Sequence, residues 1–481
     1  MASSTGSARA ALAASAWGAV VYLTDCLPPR IRYGYVHRLT RALLRTPLPA
    51  LAALPHDRGA VDALAGPTAS EVDSTTTCVL AADALDIGGI GSVIEMLARG
   101  LGDCGVRPVV VTTAEGARAD RLRRVGVDVT VVTDEESALT AITALSPDVI
   151  QSHSAPPFLE SAARRSGVPL MPVMHNTEIH YTKARWADFA GLMAESVMGI
   201  AVSETVREFH LRHIGDATPI IVIPNGAPTA TAPSRHERAA ARSALSQVLG
   251  AELGDDIVFV TLARYDAQKN IAGLTAAFSD AVSEASPAIR LVCAGDPSDW
   301  TELRRADAIR RAGAARDRIH FLGNSDARTL LTAADAFVLD SFFEGWPVAA
   351  TEAAAFGLPL LLADVGGAAE LVARDPGRSL LIANATGAAS EVSDRRVRAA
   401  RRRSRRQPNA PELRDAVRRI ADTVLAERRN APASEVTGAA GRSAVDSMNA
   451  AHAEAIRAAA AGRTGHGVDA ARGNDGSAPG R

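Results

Sequence analysis

From Cys78 onward the chain alternates two patterns. Short β-branched runs end in small or polar residues, and each is followed by an alanine- and leucine-rich amphipathic stretch. That alternation is the signature of a parallel sheet with crossover helices. In the first half it predicts seven strands, over residues 78–83, 108–113, 127–133, 148–153, 169–175, 197–203 and 220–225. Residues 228–234 then run Pro-Thr-Ala-Thr-Ala-Pro-Ser, with no apolar period, and read as a linker. Six more strands follow, over 257–263, 289–295, 318–323, 336–341, 358–364 and 379–383. The expected class is α/β, with two doubly wound Rossmann-like domains over residues 71–228 and 229–438.

The ends break the pattern. Residues 1–70 carry Pro28, Pro29, Pro47, Pro49 and Pro55 and no strand period, which predicts a helical or irregular N-terminal arm. Residues 10–23 follow Arg9 as a signal-peptide core does, but they lack a small-residue cleavage site and lead into Asp25, so a helix is expected instead. Within the second domain, eight of the thirteen residues 394–406 are arginine; such a block repels itself and is expected to be a solvated insertion. Residues 439–461 predict one more helix, and the Gly/Asp/Arg/Ala-rich stretch 462–481 a disordered tail.

Composition narrows the class of function. At 481 residues with 47% hydrophobic and 22% charged content, the chain is too long for one ordinary domain and too apolar for disorder. Fifty-two Lys and Arg against 54 Asp and Glu leave a net charge of -2, so no nucleic-acid partner is expected and any basic surface must be local. Cys26, Cys78, Cys104 and Cys293 form no C-x-x-C pair. This predicts a reduced, cytoplasmic protein without zinc or disulfides, its Cys78, Cys104 and Cys293 buried and inert. No run of eighteen uncharged apolar residues is present, so no spanning helix is expected.

Ligands of open parallel sheets bind beyond the carboxyl ends of the strands. After the first run comes Gly88-Gly89-Ile90-Gly91-Ser92 ahead of a helix, which suits an approaching phosphate, although a glycine-rich turn alone is weak. After the run 257–263 come Arg264 and Lys269, bracketing a loop before a helix that starts near Ile271. They fit a diphosphate clamp, or two solvated charges. After the run 336–341 comes Phe342-Phe343-Glu344-Gly345-Trp346-Pro347, and Glu352 lies about a turn and a half into the next helix. Two carboxylates so spaced suit hydroxyls on separate parts of one extended ligand.

Gly88-Gly89, His175, Ile223-Pro224-Asn225-Gly226, Arg264 with Lys269, and Glu344-Gly345 with Glu352 together resemble the retaining glycosyltransferases of family 4, with the GT-B fold of two Rossmann-like domains facing a central cleft. The resemblance spans about residues 75–460. It implies that Arg264 and Lys269 bind the nucleotide diphosphate, Glu344 and Gly345 face the donor sugar, and Glu352 holds the ribose. Gly88 and Gly89 would approach the diphosphate, and His175 the transferred sugar. Asn176, Thr177, Lys183 and Arg185 are candidate acceptor contacts. Ala263 stands where the family often has glycine, and Ala227-Pro228 where it often has Val-Asp. The arm and the arginine block fall outside the pattern.

The implied function is transfer of a hexosyl-type sugar from a nucleotide-diphosphate donor, uridine diphosphate being the family default, to a glycan, lipid-linked or small-molecule acceptor. Configuration would be retained, with no metal and no cofactor. Fixed cations would stabilise the leaving diphosphate, and closure through residues 228–234 would exclude water. His153, His175 and His180 show no metal-ligand spacing; His153 is expected to line the cleft or support His175. Three other readings are weighed. A nicotinamide oxidoreductase would need G-x-G-x-x-G, which residues 88–91 do not supply. A sugar-nucleotide epimerase or phosphorylase could share the architecture, and a non-catalytic scaffold would have no physical need for the four charged residues. Arg38, Arg41 and Arg45 interleaved with leucines over residues 35–51 suggest peripheral contact with an anionic inner membrane face.

Overall fold

The computed structural model describes residues 2–24, 27, 51–56, 76–86, 88–228, 230, 232–282, 289–430 and 444–462. Two parallel sheets organise them. The first runs β1 (Thr76–Ala82), β2 (Val106–Thr112), β3 (Asp128–Val131), β4 (Val149–His153), β5 (Leu170–Met174), β6 (Gly199–Ala201) and β7 (Ile220–Val222), in the order β3-β2-β1-β4-β5-β6-β7. The second runs β8 (Ile257–Leu262), β9 (Ile289–Ala294), β10 (Ile319–Leu322), β11 (Ala336–Leu339), β12 (Leu360–Ala363) and β13 (Leu380–Ile382), in the order β10-β9-β8-β11-β12-β13. Each strand overlaps one of the thirteen expected runs. The reason is burial: β5, β11 and β12 are buried from end to end, so they read as continuous apolar stretches.

In both sheets the connection order reverses beside the first strand. β1 pairs with β2 on one side and β4 on the other, and β8 likewise lies between β9 and β11. Beyond the carboxyl ends at such a reversal the flanking loops diverge and leave a crevice. The glycine-rich turn and His153 lie at the first; Arg264, Lys269 and Glu344 lie at the second.

The chain divides into two compact units, one of Met1–Asp57 with Ala230–Ala439 and one of Arg58–Thr229 with Ala440–Arg481. The N-terminal segment is therefore a layer of the second-sheet unit. Its helix, Ala2–Thr24, packs on the helix Trp300–Ala312 and buries Trp17 and Val21, with the Arg304 guanidinium 5.3 Å from the centre of the Trp17 ring. Further along, Gly323 N donates to Ala52 O at 2.8 Å and Leu54 N to Ser325 Oγ at 3.1 Å. Most of residues 35–51, and the tail beyond 462, lie outside the described residues. No helix among those described is long and apolar enough to cross a membrane.

Six of the eight arginines of the block are exposed, but the segment also has a packed face. Residues Asp394–Arg402 form a helix capped by Ser393, whose Val397, Ala400 and Arg401 face inward at i, i+3, i+4 spacing. Arg401 is 3% exposed, and its Nε donates to Glu302 Oε1 at 2.7 Å. Pairing with a buried carboxylate offsets the like-charge repulsion that a linear reading counts. Cys104 also departs from expectation, being only half-buried, whereas Cys78 and Cys293 are buried and burial pushes both thiols up, Cys78 to about 12.

The expected last helix is found at Ala444–Ala460, packed on β1, β4 and the helix Gly88–Gly100. It buries Met448, Asn449, His452 and Ile456. A Cβ on Gly100 would lie 1.8 Å from Asn449 Nδ2, so any larger residue there must displace the Asn449 side chain where the two helices meet.

Candidate active site

The loop leaving β8 is fixed between its two cations. Tyr265 is fully buried with its hydroxyl 2.7 Å from the carbonyls of Cys293 and Leu322, and its own N–H donates to Asp296 O. Asp266 Oδ1 then accepts from the N–H groups of Gln268 and Lys269 at 3.0 and 3.1 Å, closing a tight turn, while burial raises the Asp266 carboxyl. Arg264 pairs with Asp266 at 3.1 Å and stays 45% exposed, so its guanidinium remains open to solvent on one side.

The loop leaving β11 meets this turn. Phe342 N donates to Gln268 O at 2.8 Å, and Gln268 Nε2 donates to Phe343 O at 2.9 Å and to Glu344 Oε2 at 3.3 Å. Lys269 Nζ lies 2.5 Å from Glu344 Oε1. Residues 75 positions apart thus share one ion pair at the second sheet's reversal point. Gly345 is shaped by Gly366, whose φ of +51° and close approach to Gly345 O, 2.3 Å from where a Cβ would stand, both demand glycine. Trp346 fills the space below, buried, with Nε1 donating to Thr351 Oγ1 at 2.8 Å and Gly367 against its ring. Glu352 is half-buried in the helix Val348–Ala355.

In the first-sheet unit the expected residues fare differently. Gly88 opens its helix at φ +72°, exposed together with Gly89. The glycine that close packing demands is Gly91, where a Cβ would stand 1.7 Å from Leu85 O. His175 and His153, at the ends of β5 and β4, are both buried; His153 Nδ1 and His175 Nε2 are 2.9 Å apart, so one nitrogen donates to the other. Burial pulls the His175 imidazole down to about 4 and His153 well below its usual range. His452, on the last helix, is 3.2 Å from Gln151 Oε1 and is pulled down to about 3 by the same cause. These are neutral imidazoles.

Asn176 is half-buried, its Oδ1 accepting from Thr177 N at 2.9 Å, and Thr177 is buried. Lys183 is exposed at the first turn of the helix Lys183–Ala194. Arg185 is committed elsewhere: both its terminal nitrogens bond the buried Glu160 carboxylate, at 2.7 and 2.8 Å. Among the described residues, no three His, Cys, Asp or Glu side chains form a group able to hold a metal ion.

Two family models match the chain, one to each unit. Residues 87–231 match the model described as Glycosyltransferase Family 4, and residues 248–411 the one described as Glycosyl transferases group 1. Both halves are glycosyltransferase-family domains of the GT-B fold. The curated Bacillus subtilis (strain 168) protein TuaC, named as a teichuronic acid biosynthesis glycosyltransferase, is 26% identical over 235 residues, 47% of this chain. That match spans 56% of TuaC, about half its length. Among solved structures, Anabaena Alr3699/HepE in complex with UDP-glucose superimposes at a TM-score of 0.55 with 19% identity, covering 73% of this chain and all of that one. A glycosyltransferase from Rickettsia africae gives a TM-score of 0.55 with 15% identity over 74% of this chain and 99% of its own. Both share the GT-B fold with this chain. The Lys269–Glu344 pair falls inside the group 1 match, and His153 and His175 inside the family 4 match.

Proposed function

We propose that the chain transfers a sugar from a nucleoside-diphosphate donor to an acceptor hydroxyl, retaining the anomeric configuration and requiring no metal. The observation that carries this reading is the Lys269–Glu344 pair, with Arg264 nearby on the same loop, at the reversal point of a group 1 domain. The barrier to glycosyl transfer lies in expelling an anionic diphosphate while positive charge builds at the anomeric carbon. Lys269 and Arg264 neutralise the diphosphate. Glu344 lies 2.5 Å from the Lys269 ammonium, where a carboxylate stabilises the developing cation. Gly345 keeps the backbone beside Glu344 accessible to the sugar, and Glu352 binds the ribose. Gly88 and Gly89 offer amides at a helix start to a phosphate.

His175, neutral and hydrogen-bonded to His153, donates or accepts at a sugar hydroxyl. Asn176 and Lys183 remain the acceptor contacts, since the Arg185 fork is held by Glu160. Uridine diphosphate is the favoured carrier because HepE was solved with UDP-glucose, and a glycan is the favoured acceptor because TuaC is named for teichuronic acid biosynthesis.

A thermal-shift screen of nucleoside-diphosphate sugars tests the donor. A ligand at a hundred times its dissociation constant stabilises by about 2.7 kcal/mol. Product NMR with a matched acceptor then reads the configuration, and EDTA the metal requirement. Inverted product, or loss of activity to EDTA that a divalent ion restores, removes the corresponding half of the proposal. Release of an epimerised sugar without any acceptor, rather than simple hydrolysis of the donor by water, replaces transfer with epimerase chemistry.

A further inference from the structure

Next to the Lys269 turn lies a set of buried polar side chains to which the proposed function assigns no role. Asp340, just past β11, accepts at Oδ2 from Asn270 Nδ2 and at Oδ1 from Asn409 Nδ2, both at 2.8 Å. Asn270 and Gln407 exchange two hydrogen bonds, each 2.9 Å. All four residues are buried. Asn270 separates Lys269 from the helix Ile271–Ala281 at φ +50°, a left-handed conformation that asparagine tolerates better than most residues. At this position an asparagine usually caps the helix, yet no side-chain cap bond is made. Its amide is spent on Asp340 and Gln407.

Two observations indicate that the arrangement is specific. Gly273 lies inside the next helix, where glycine is destabilising relative to alanine. A Cβ there would stand 2.3 Å from Gln407 Oε1 and 2.5 Å from Asn270 Oδ1, so the helix leaves room for the amide pair. Burial also pushes the Asp340 carboxyl up to about 7, and a carboxylate so placed is a poor source of stability compared with an apolar side chain. Gln407 Nε2 further reaches Ala400 O at 3.3 Å, which ties the network to the arginine-rich helix, itself anchored through Arg401 to Glu302.

We propose that Asp340, Asn270, Gln407 and Asn409 are positioning residues that fix the backbone presenting Lys269, and that the arginine-rich segment serves to carry Gln407 and Asn409 into place. The proposal rests on the reading of Lys269 as a diphosphate ligand. Gly273→Ala probes the network from inside a helix that alanine favours, and Asn270→Gly keeps the left-handed backbone while deleting the amide.

Both variants are made in the full chain, alone and with Lys269→Ala. They are followed by hydrogen-exchange mass spectrometry of residues 264–270 and by steady-state kinetics. Each single variant is expected to speed exchange in that segment while both sheets keep wild-type protection. Each should also lower kcat about tenfold or more, as misplacing a catalytic group by an ångström does, with donor KM little changed. Combined with Lys269→Ala, neither should add a further loss, because both act through that ammonium. Unchanged exchange, or losses that multiply in the double variants, overturns the proposal. If the wild-type chain transfers no sugar, the donor reading falls, and the exchange measurement alone decides whether the network positions the turn.

Discussion

Beyond β8 and β11, Arg264 is paired with Asp266 and Lys269 with Glu344, and Arg264 remains open to solvent. Beyond β4 and β5, His153 and His175 are buried ring against ring, 5.1 Å between centroids, and burial holds them neutral. The same topological position has thus been given two electrostatic treatments. Paired charges can be redistributed when an anion arrives, since an ammonium has three donors and Glu344 uses only part of them. Neutral buried imidazoles offer no such reserve, and they make that region sensitive to acid.

The largest effect expected is on the histidine side. In the unfolded chain these imidazoles titrate near 6.5, whereas His175 falls to about 4 and His452 to about 3 in the fold. Between those values the unfolded chain binds protons that the folded one refuses. Stability is therefore fully present above about pH 7 and drains as the pH falls toward 4, by roughly 3 kcal/mol from His175 alone. Denaturant unfolding between pH 7.5 and 4.5 checks this. His452→Gln, which keeps a polar tip near Gln151 but cannot titrate, should flatten the slope, and a slope already flat in the wild type would contradict the burial argument.

On the charged side, Lys269→Ala or Arg264→Ala should lower kcat/KM about a hundredfold, the scale of losing one transition-state charge contact. Near-wild-type rates for the pair of variants would return both residues to the status of solvated charges. Glu344→Gln keeps the shape and removes the charge beside Lys269, so a loss on the order of tenfold is expected, falling on kcat. Smallest should be Glu352→Ala. A ribose contact made equally in ground and transition states shows up as a rise of roughly a few fold in donor KM with kcat intact. Steady-state donor kinetics of all four variants, with folding checked by circular dichroism, separates these patterns.

Much of this was legible along the chain because buried parallel strands leave short, largely apolar runs, and because Arg264, Lys269 and Glu344 follow strand ends where loops converge, with Glu352 in the next helix. Contacts across long separations were not. Nothing local marks Asn270 as the partner of Gln407, 137 positions away, or Gln151 as that of His452, 301 positions away. The packed face of the arginine block was hidden for a related reason: counting charges ignored Val397, Ala400 and Arg401, and Glu302 could not be recognised as the counter-charge of Arg401 from sequence. Gly91 carried a readable signal, since it stands in the same glycine-rich turn as Gly88 and Gly89. Only the geometry shows which glycine is sterically required.

The two ends of the chain are exchanged between the units, the helix Ala2–Thr24 lying with the second sheet and the helix Ala444–Ala460 with the first. During synthesis this sets an order of events. The first sheet is translated by residue 222 but lacks the helix that buries β1 and β4 until more than two hundred further residues have left the ribosome. Meanwhile the first helix, with Trp17 uncovered, must wait for the strands and helices beyond residue 257. Each unit is therefore exposed to misassembly and chaperone capture for most of translation, a cost that a chain with two contiguous domains would avoid.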